Sequence, residues 1–302
     1  MTTSQQPPQY LSAKQLADYL DLNEKKVYAL ANDGILPGTK ATGKWMFPRV
    51  LIDRWLLDSC HSGLLSDRLL ITGSSDPLME FIVSNLMQQV GNKGLVSYSG
   101  TGSRQGLALL SRHYADICCV HWGLSEERDI RHPALLQGYQ NHQQWIMLHA
   151  FKRQYGLAVT PTLYEQCQEL DTIAAQPWRW VERQEGSGSR QHMKHWLQLQ
   201  HRKYQDLNRV DTAYSEQQLA GMIASGAADI GFCCQSSANQ FGLAFVPLMQ
   251  ESFDLVMPQS FYFRQLVQAM FEQLASAKVR AKADAYGGYD FAESGRLIWS
   301  PS

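Results

Sequence analysis

Between Tyr10 and Leu56 the apolar positions recur at helical spacing in three short blocks. Leu16, Ala17 and Leu20 share one face of a helix that opens after Ser12, a good N-cap. Val27 and Leu30 turn inward from a second short helix capped by Asn23. The tight link Asp21-Leu22-Asn23 between them predicts a helix-turn-helix, whose second helix offers its N-terminal end to a DNA major groove. Gly34-Ile-Leu-Pro-Gly38 then reverses the chain, and Thr39–Pro48 reads as a β-hairpin turning near Thr42-Gly43, with Trp45 and Phe47 facing the core. A third helix follows, with Pro48 at its start.

From residue 68 the pattern changes to alternating strands and helices, the signature of an α/β sheet. Strands are predicted at 69–72, 94–98, 115–120, 145–149 leading into 155–159, 180–183, 229–232, 245–248 and 253–257. Helices are predicted from Asp76 through Met87, at 103–113, at 189–200 and from about Ser260 to Ala281. Residues 59–67 read as a short linker, which divides the chain into a unit at 10–58 and another at 68–302. Residues 1–9 are polar and contain proline, without a charged segment leading into an apolar run; they read as a disordered tail and not a signal peptide, which implies a cytoplasmic protein.

Composition narrows the function classes. The chain has 302 residues, 44% hydrophobic and 18% charged, with formal net charge −1, so any DNA contact depends on a local basic patch. Lys25, Lys26, Lys40 and Lys44 supply one for phosphates, while Asn23, Glu24 and Tyr28 lie near the groove end of the second helix. Six cysteines without C-x-x-C spacing argue against structural zinc, and a reducing compartment argues against a disulfide framework. The pairs Cys118-Cys119 and Cys233-Cys234 each follow Ala-Asp-Ile or its glycine-containing echo and are expected to be buried strand residues.

The chemistry-bearing signal is an internal echo. Gly100-Thr-Gly-Ser-Arg104 follows a strand and opens a helix, and Gly186-Ser-Gly-Ser-Arg190 does the same. Downstream, Ala115-Asp-Ile117 and Ala228-Asp-Ile230 match as well. Two similar lobes are expected, each presenting a hydroxyl-bearing loop at a helix N-terminus. Backbone N–H groups, the helix dipole and neutral Ser/Thr donors there suit a small anion. The candidate ligand residues are Thr101, Gly102 and Ser103 in one loop and Ser187, Gly188, Ser189 and Arg190 in the other. Ser74 and Ser75, in the loop before Asp76-Pro77, face the same cleft, because ligands of open α/β sheets sit beyond the carboxyl ends of strands. Asp76 reads as a helix cap, and His121, ending a strand, serves equally as ligand residue or structural histidine.

Two resemblances follow. Ser12-Ala-Lys-Gln-Leu-Ala17, Val27-Tyr-Ala-Leu30, the Gly34–Gly38 turn and Lys44-Trp-Met-Phe47 resemble the excisionase and MerR-type winged helix-turn-helix. Residues 68–300 resemble the solute-binding-protein-like domain fused to helix-turn-helix regulators and related to periplasmic molybdate-binding proteins. The likeness is carried by Gly102–Leu110, Ala115–His121, Arg153–Leu157, Arg183–Arg190, Ala227–Gly231, Gly242–Leu248 and Glu251–Leu255. The resemblance implies an α/β chain with a winged helix-turn-helix and a bilobed type II periplasmic-binding-protein-like domain, crossing between lobes near Gly156 and Glu251. Residues 68–150 and 255–302 would form one lobe and 156–250 the other. It also implies molybdate or tungstate as the first effector, held by Ser74, Ser75, Ser103, Ser187 and Ser189. Arg104 and Arg190 depart from a neutral-donor site; turned inward they would favour a carboxylate.

The expected function is a ligand-responsive transcriptional regulator that binds double-stranded DNA as a homodimer, with a small anion as effector, no other cofactor, no protein-ligated metal and no membrane partner. The alternatives are a sensor of a small organic carboxylate, an excisionase-like architectural DNA-binding protein, a transport or storage binder, and an enzyme. Enzymatic function is disfavoured because the chain has no Gly-x-Ser-x-Gly elbow, His-Glu-x-x-His or P-loop.

Overall fold

The structure, a computed structural model, describes residues 8–41, 43–58, 68–166, 173 and 176–301. Residues 1–7 of the expected tail, Thr42 of the expected turn, the expected linker 59–67, and Cys60 and Cys167 lie outside the described residues. The chain divides into two compact units at Ser66/Asp67.

In the first unit, β1 (Tyr10–Ser12) leads into α1 (Ala13–Leu20). Ser12 caps α1 through a full capping box, exchanging backbone and side-chain bonds with Gln15. Asp21 takes the left-handed conformation that turns the chain toward α2 (Glu24–Asn32), whose N-cap Asn23 accepts from the Lys26 N–H at 2.8 Å. β2 (Met46–Pro48) and α3 (Arg49–Asp58) complete the unit around buried Leu16, Val27, Phe47 and Ile52. Here the structure differs from the expected hairpin. Met46–Pro48 pairs antiparallel with Tyr10–Ser12, and the wing carries a bridge between Thr39 and Met46 and a turn bond from the Gly43 N–H to the Lys40 carbonyl, with no hairpin of strands among the described residues. Pro48 ends a strand and does not start the helix. Proline at the end of a two-stranded ribbon leaves no ladder donor missing from its interior.

The second unit runs β3 (Arg68–Gly73), α4 (Pro77–Val90), β4 (Leu95–Gly100), α5 (Ser103–Ser111), β5 (Ile117–Val120), α6 (Arg128–Leu136) and β6 (Trp145–Val159). It continues with α7 (Pro161–Gln166), β7 (Arg179–Arg183), α8 (Gly188–Leu199), β8 (Asn208–Ala213), α9 (Glu216–Ala224), β9 (Ile230–Cys234), α10 (Gln235–Gln240) and β10 (Ala244–Pro258). It ends with α11 (Gln265–Ala275), α12 (Ala277–Tyr286), β11 (Tyr289–Asp290) and β12 (Leu297–Trp299). The expected single helix at 260–281 is two, broken at Ser276, which caps the second by accepting from the Val279 N–H.

The sheet order is β4-β3-β5-β10-β6-β9-β7-β8. Each end is a trio of parallel strands, β4-β3-β5 and β9-β7-β8. Between them β6 and β10 run antiparallel along their full lengths. What the hydropathy pattern divides into pairs of short strands is therefore two 15-residue strands, each passing from one trio to the other. The polar residues that interrupt the pattern, Arg153 and Glu251 among them, are buried opposite one another and do not mark breaks. Gly156 is required where the strands cross, because a Cβ there would lie 2.0 Å from the Val246 carbonyl oxygen.

Candidate functional site

The two halves repeat the order strand, helix, strand, helix, strand, so their loops correspond by position. The loop from β3 to α4, carrying Ser74 and Ser75, corresponds to the loop from β7 to α8, carrying Ser187. The loop from β4 to α5, carrying Thr101 to Ser103, corresponds to the loop from β8 to α9, carrying Ser215 and Glu216. The sequence echo between Gly100–Arg104 and Gly186–Arg190 therefore joins loops that are not equivalent in the repeat. The equivalent of the first is Ser215-Glu216, which sequence reasoning missed because it shares no glycine with it.

All four loops nevertheless meet at one seam between the trios. Ser74 and Ser103 hydroxyls are 2.8 Å apart, and Ser103 Oγ also accepts from the His121 N–H and donates to the His121 carbonyl. Thr101 Oγ1 lies 2.8 Å from Thr72 Oγ1 and accepts from the Gly73 N–H. Across the seam, Ser75 Oγ accepts from the Glu216 N–H at 3.3 Å, while Gly102 approaches Gln184 and Ser187. Ser187 caps α8 by accepting from the Arg190 N–H, and Ser189 donates to Glu216 Oε1 at 3.1 Å. Gly188 touches His121 so closely that a Cβ would lie 2.4 Å from the imidazole. Of the sequence candidates, Ser74, Ser75, Gly102, Ser103, His121, Ser187, Gly188 and Ser189 are buried at this seam and Thr101 is half-buried.

Arg190 is not part of it. Its guanidinium turns to Glu182, 3.6 Å away, and to the Tyr204 ring, while Arg104 is exposed and stacks over Trp122 at 4.9 Å. The inward arginines are others. Arg153, 1% exposed, bonds Glu251 Oε1 at 2.6 Å, Asp76 Oδ2 at 2.7 Å and the Ser75 carbonyl. Arg183, 3% exposed, bonds Glu216 Oε1 at 2.7 Å and the carbonyls of Ala213 and Tyr214. Both guanidinium groups are thus neutralised by buried carboxylates, so neither is a free cation for a ligand. Asp76 also caps α4, accepting from the Leu78 and Met79 N–H groups, and receives the Tyr289 hydroxyl. That hydroxyl reaches Ser236 of the other half at 2.9 Å, tying the two together.

A second set of polar groups lies behind the hydroxyl loops. His121, His192 and Glu251 are all buried, with the two imidazoles stacked at 6.3 Å. Burial holds the His121 imidazole down at about 3, against the pull of Glu251. Burial pushes the Glu251 carboxyl up, but Arg153 and the two histidines outweigh it and hold it well below the usual carboxylate range. Among the described residues no group of His, Cys, Asp or Glu side chains is arranged to hold a metal ion. Cys118, Cys119, Cys233 and Cys234 are buried free thiols, and burial pushes each thiol up, which suppresses thiolate chemistry.

In the first unit, Asn23, Glu24, Lys25, Lys26, Tyr28, Lys40 and Lys44 are all exposed. An open notch between α2 and the wing is lined by Lys14, Glu24, Tyr28, Lys40 and Lys44, so the wing lysines and the start of α2 face one space. Lys14, at the start of α1, belongs to this surface and escaped the sequence reading. Lys40 also lies 4.9 Å over the Trp45 ring.

The comparisons with known proteins agree with this geometry. A helix-turn-helix domain model matches residues 10–59, and a model described as the PBP superfamily domain matches residues 84–275. The chain belongs to the PBP superfamily. A relative in Bacillus subtilis (strain 168), the uncharacterized protein YvgK, is 24% identical over 224 residues, covering 74% of this chain and 71% of that protein. Among solved structures, a putative phosphate ABC transporter substrate-binding protein with bound phosphate from Clostridium perfringens aligns at TM-score 0.52 and 12% identity, covering 74% of this chain and 99% of that one. The tungstate ABC transporter from Geobacter sulfurreducens aligns at TM-score 0.51 and 11% identity, covering 73% of this chain and all of that one, 100%. These likenesses establish the fold. The chain therefore joins a DNA-binding domain of helix-turn-helix type to a solute-binding domain of PBP type, the architecture of a ligand-responsive regulator. No described helix is long and apolar enough to cross a membrane.

Proposed function

We propose that the protein is a cytoplasmic, non-enzymatic transcriptional regulator, acting as a homodimer on double-stranded DNA, whose PBP-type unit senses a small anion. The clamp lobes are taken as residues 68–150 with 255–302, and 156–250, hinged on β6 and β10. The observation that carries the reading is the convergence of Ser74, Ser75, Ser103, Ser187 and Ser189 at one buried seam formed from both halves of the sheet. Neutral hydroxyl and N–H donors at strand-to-helix junctions bind oxyanions without an unpaired cation in the site. Molybdate and tungstate are the first anions to test, by the sequence resemblance and because a neighbour of the same fold is a tungstate transporter. The case for a carboxylate that rested on Arg104 and Arg190 lapses, because both face away from the seam.

Ligand changes DNA affinity only through its different affinity for the open and closed clamp. The test is a gel shift of the full chain on the DNA upstream of its own gene, with and without molybdate, tungstate, phosphate and small carboxylates, beside a thermal-shift screen of the same anions. An anion at 100 times its dissociation constant adds about 2.7 kcal/mol of stability. No DNA binding under any condition defeats the regulator reading, and no thermal shift defeats the anion reading.

A further inference from the structure

Residues 186–210 carry five lysines and arginines against a single acid, Asp206, in a chain whose formal net charge is −1. The fold gathers that surplus around one aromatic ring beside the edge strand β8. Arg190 and Lys194 come from α8 and Arg209 from β8, and they stand over the ring of Tyr204 at 5.6, 4.8 and 4.6 Å from its centroid. Arg202 and Lys203, immediately before that tyrosine, are exposed. Among the described residues Glu182 is the one carboxylate paired with this group, 3.6 Å from Arg190 and 3.9 Å from Arg209, and it also accepts from the Tyr204 hydroxyl. Lys194, Arg202 and Lys203 have no ion-pair partner among the described residues, so most of the surplus is left unbalanced.

Cations held on one ring repel each other, and the ring quadrupole offsets only part of that repulsion. An anionic partner would relieve the rest. The three ring cations lie within about 10 Å of one another, a length that carries about three phosphates along one DNA strand. The guanidinium forks of Arg190 and Arg209 match phosphate oxygens. The ring itself is half-buried and covered by cations, so it offers no platform for the base stacking that grips single strands and RNA loops. What remains is a charge surface that fits the backbone of a duplex, and the other unit of the chain is of helix-turn-helix type.

We propose that Arg190, Lys194, Arg202, Lys203 and Arg209 form a second DNA contact, by which the PBP-type unit binds the phosphate backbone of duplex DNA without reading its sequence. This rests on the regulator reading, and on nothing about which effector occupies the cleft. The helix that lines the seam with Gly188 and Ser189 also carries Arg190 and Lys194, so one element serves the clamp and the DNA contact.

The test is fluorescence anisotropy of the full chain on the duplex upstream of its own gene and on a scrambled duplex, from about 50 to 200 mM salt. Two double variants are compared, Arg202→Gln with Lys203→Gln and Lys194→Gln with Arg209→Gln, each checked for folding by its melting curve. Each double should reduce the slope of log affinity against log salt by about two and weaken binding by about tenfold or more, alike on both duplexes. Arg202 and Lys203 are exposed, so the first double decides the matter even where the second does not fold. A slope unchanged in the first double, or in a folded second, overturns the proposal and leaves the cations as guards of the β8 edge against strand pairing. Lys40→Ala with Lys44→Ala is the control. A slope lowered by that pair alone overturns this proposal and spares the helix-turn-helix, whereas no DNA binding by the unaltered chain removes the regulator reading and this proposal with it.

Discussion

Arg153 and Glu251 face each other in register on the two crossover strands and are bonded at 2.6 Å, both buried, although they lie 98 positions apart in sequence. The pair sits where β6 and β10 pass between the trios, so the charge that neutralises Glu251 also reaches Asp76 and the Ser75 carbonyl in one half of the cleft. Removing one member of such a pair leaves an uncompensated buried charge. Arg153→Gln should cost about 3–5 kcal/mol of stability, more than any surface arginine change. Urea denaturation followed by tryptophan fluorescence measures this; a loss under about 1 kcal/mol would show that the cluster tolerates an unpaired carboxylate.

Gly188 marks the place where the halves of the cleft press together. A methyl group there would meet the His121 ring at 2.4 Å and the His121 carbonyl oxygen at 2.9 Å. Neither yields cheaply, since the ring is buried and the carbonyl accepts from Ser103. Gly188→Ala should therefore hold the clamp apart, weakening ligand binding by about tenfold or more while changing overall stability by less than about 2 kcal/mol. Gly188→Ala combined with His121→Ala removes the ring contact but not the carbonyl one, and should recover closure in part, seen as a partial return of the ligand-induced decrease in radius of gyration. Unchanged affinity in the single variant would mean that the contact is not part of the closed state.

Acid should destabilise the protein in two stages. The His121 imidazole, held at about 3 by burial, stands near 6.5 in an unfolded chain. Its folded value is depressed, so the unfolded state takes up the proton first. The stability contributed by the neutral ring is complete above about pH 6.5 and is lost as pH falls toward 3. Glu251 and Asp254 extend the loss. Burial raises both carboxyls, but Arg153 on the first and His132 with His149 on the second bring them below their ordinary values. Their contribution is present above about pH 4 and declines as pH falls through their folded values. The melting temperature should be level above about pH 7.5 and decline below about 6.5, and His121→Gln should remove the decline between about 6.5 and 4.5. A level curve from pH 7 to 5 in the unaltered protein would contradict this.

Local rules made the helix-turn-helix legible, because Ser12 and Asn23 act within three residues of themselves. The hydroxyl loops were legible for the same reason, as small residues at strand-to-helix turns. The cluster behind them was not. Arg153, Arg183, Glu216 and Glu251 carry the composition of surface residues, and only strand register and the packing of α9 bring them inside as pairs. Arg104 and Arg190 misled by proximity: each follows a loop serine, but helical rotation turns it outward onto Trp122 or Tyr204. The repeat misled as well, since Gly-x-Gly-Ser-Arg stands at the second loop of one half and the first loop of the other.

The DNA-reading surface can be separated from the clamp by its salt dependence. Lys14, Lys40 and Lys44 line the notch beside α2, whereas Lys25 and Lys26 lie on the exposed first turn of that helix outside it. A lysine that neutralises one phosphate contributes about one unit to the slope of log affinity against log salt. Lys40→Ala and Lys44→Ala should each reduce that slope by about one and weaken binding alike on every sequence. Tyr28→Ala, at the notch edge of α2, should instead lower affinity for the specific site more than for random DNA if the proposed entry of α2 into the major groove holds, since Tyr28 lines the notch on that helix. All three variants should keep the ligand-induced thermal shift, since they lie in the other compact unit. Fluorescence anisotropy on specific and scrambled duplexes across a salt series supplies both readouts. A slope left unchanged by both lysine substitutions would move the phosphate contacts off the wing and onto Lys25 and Lys26.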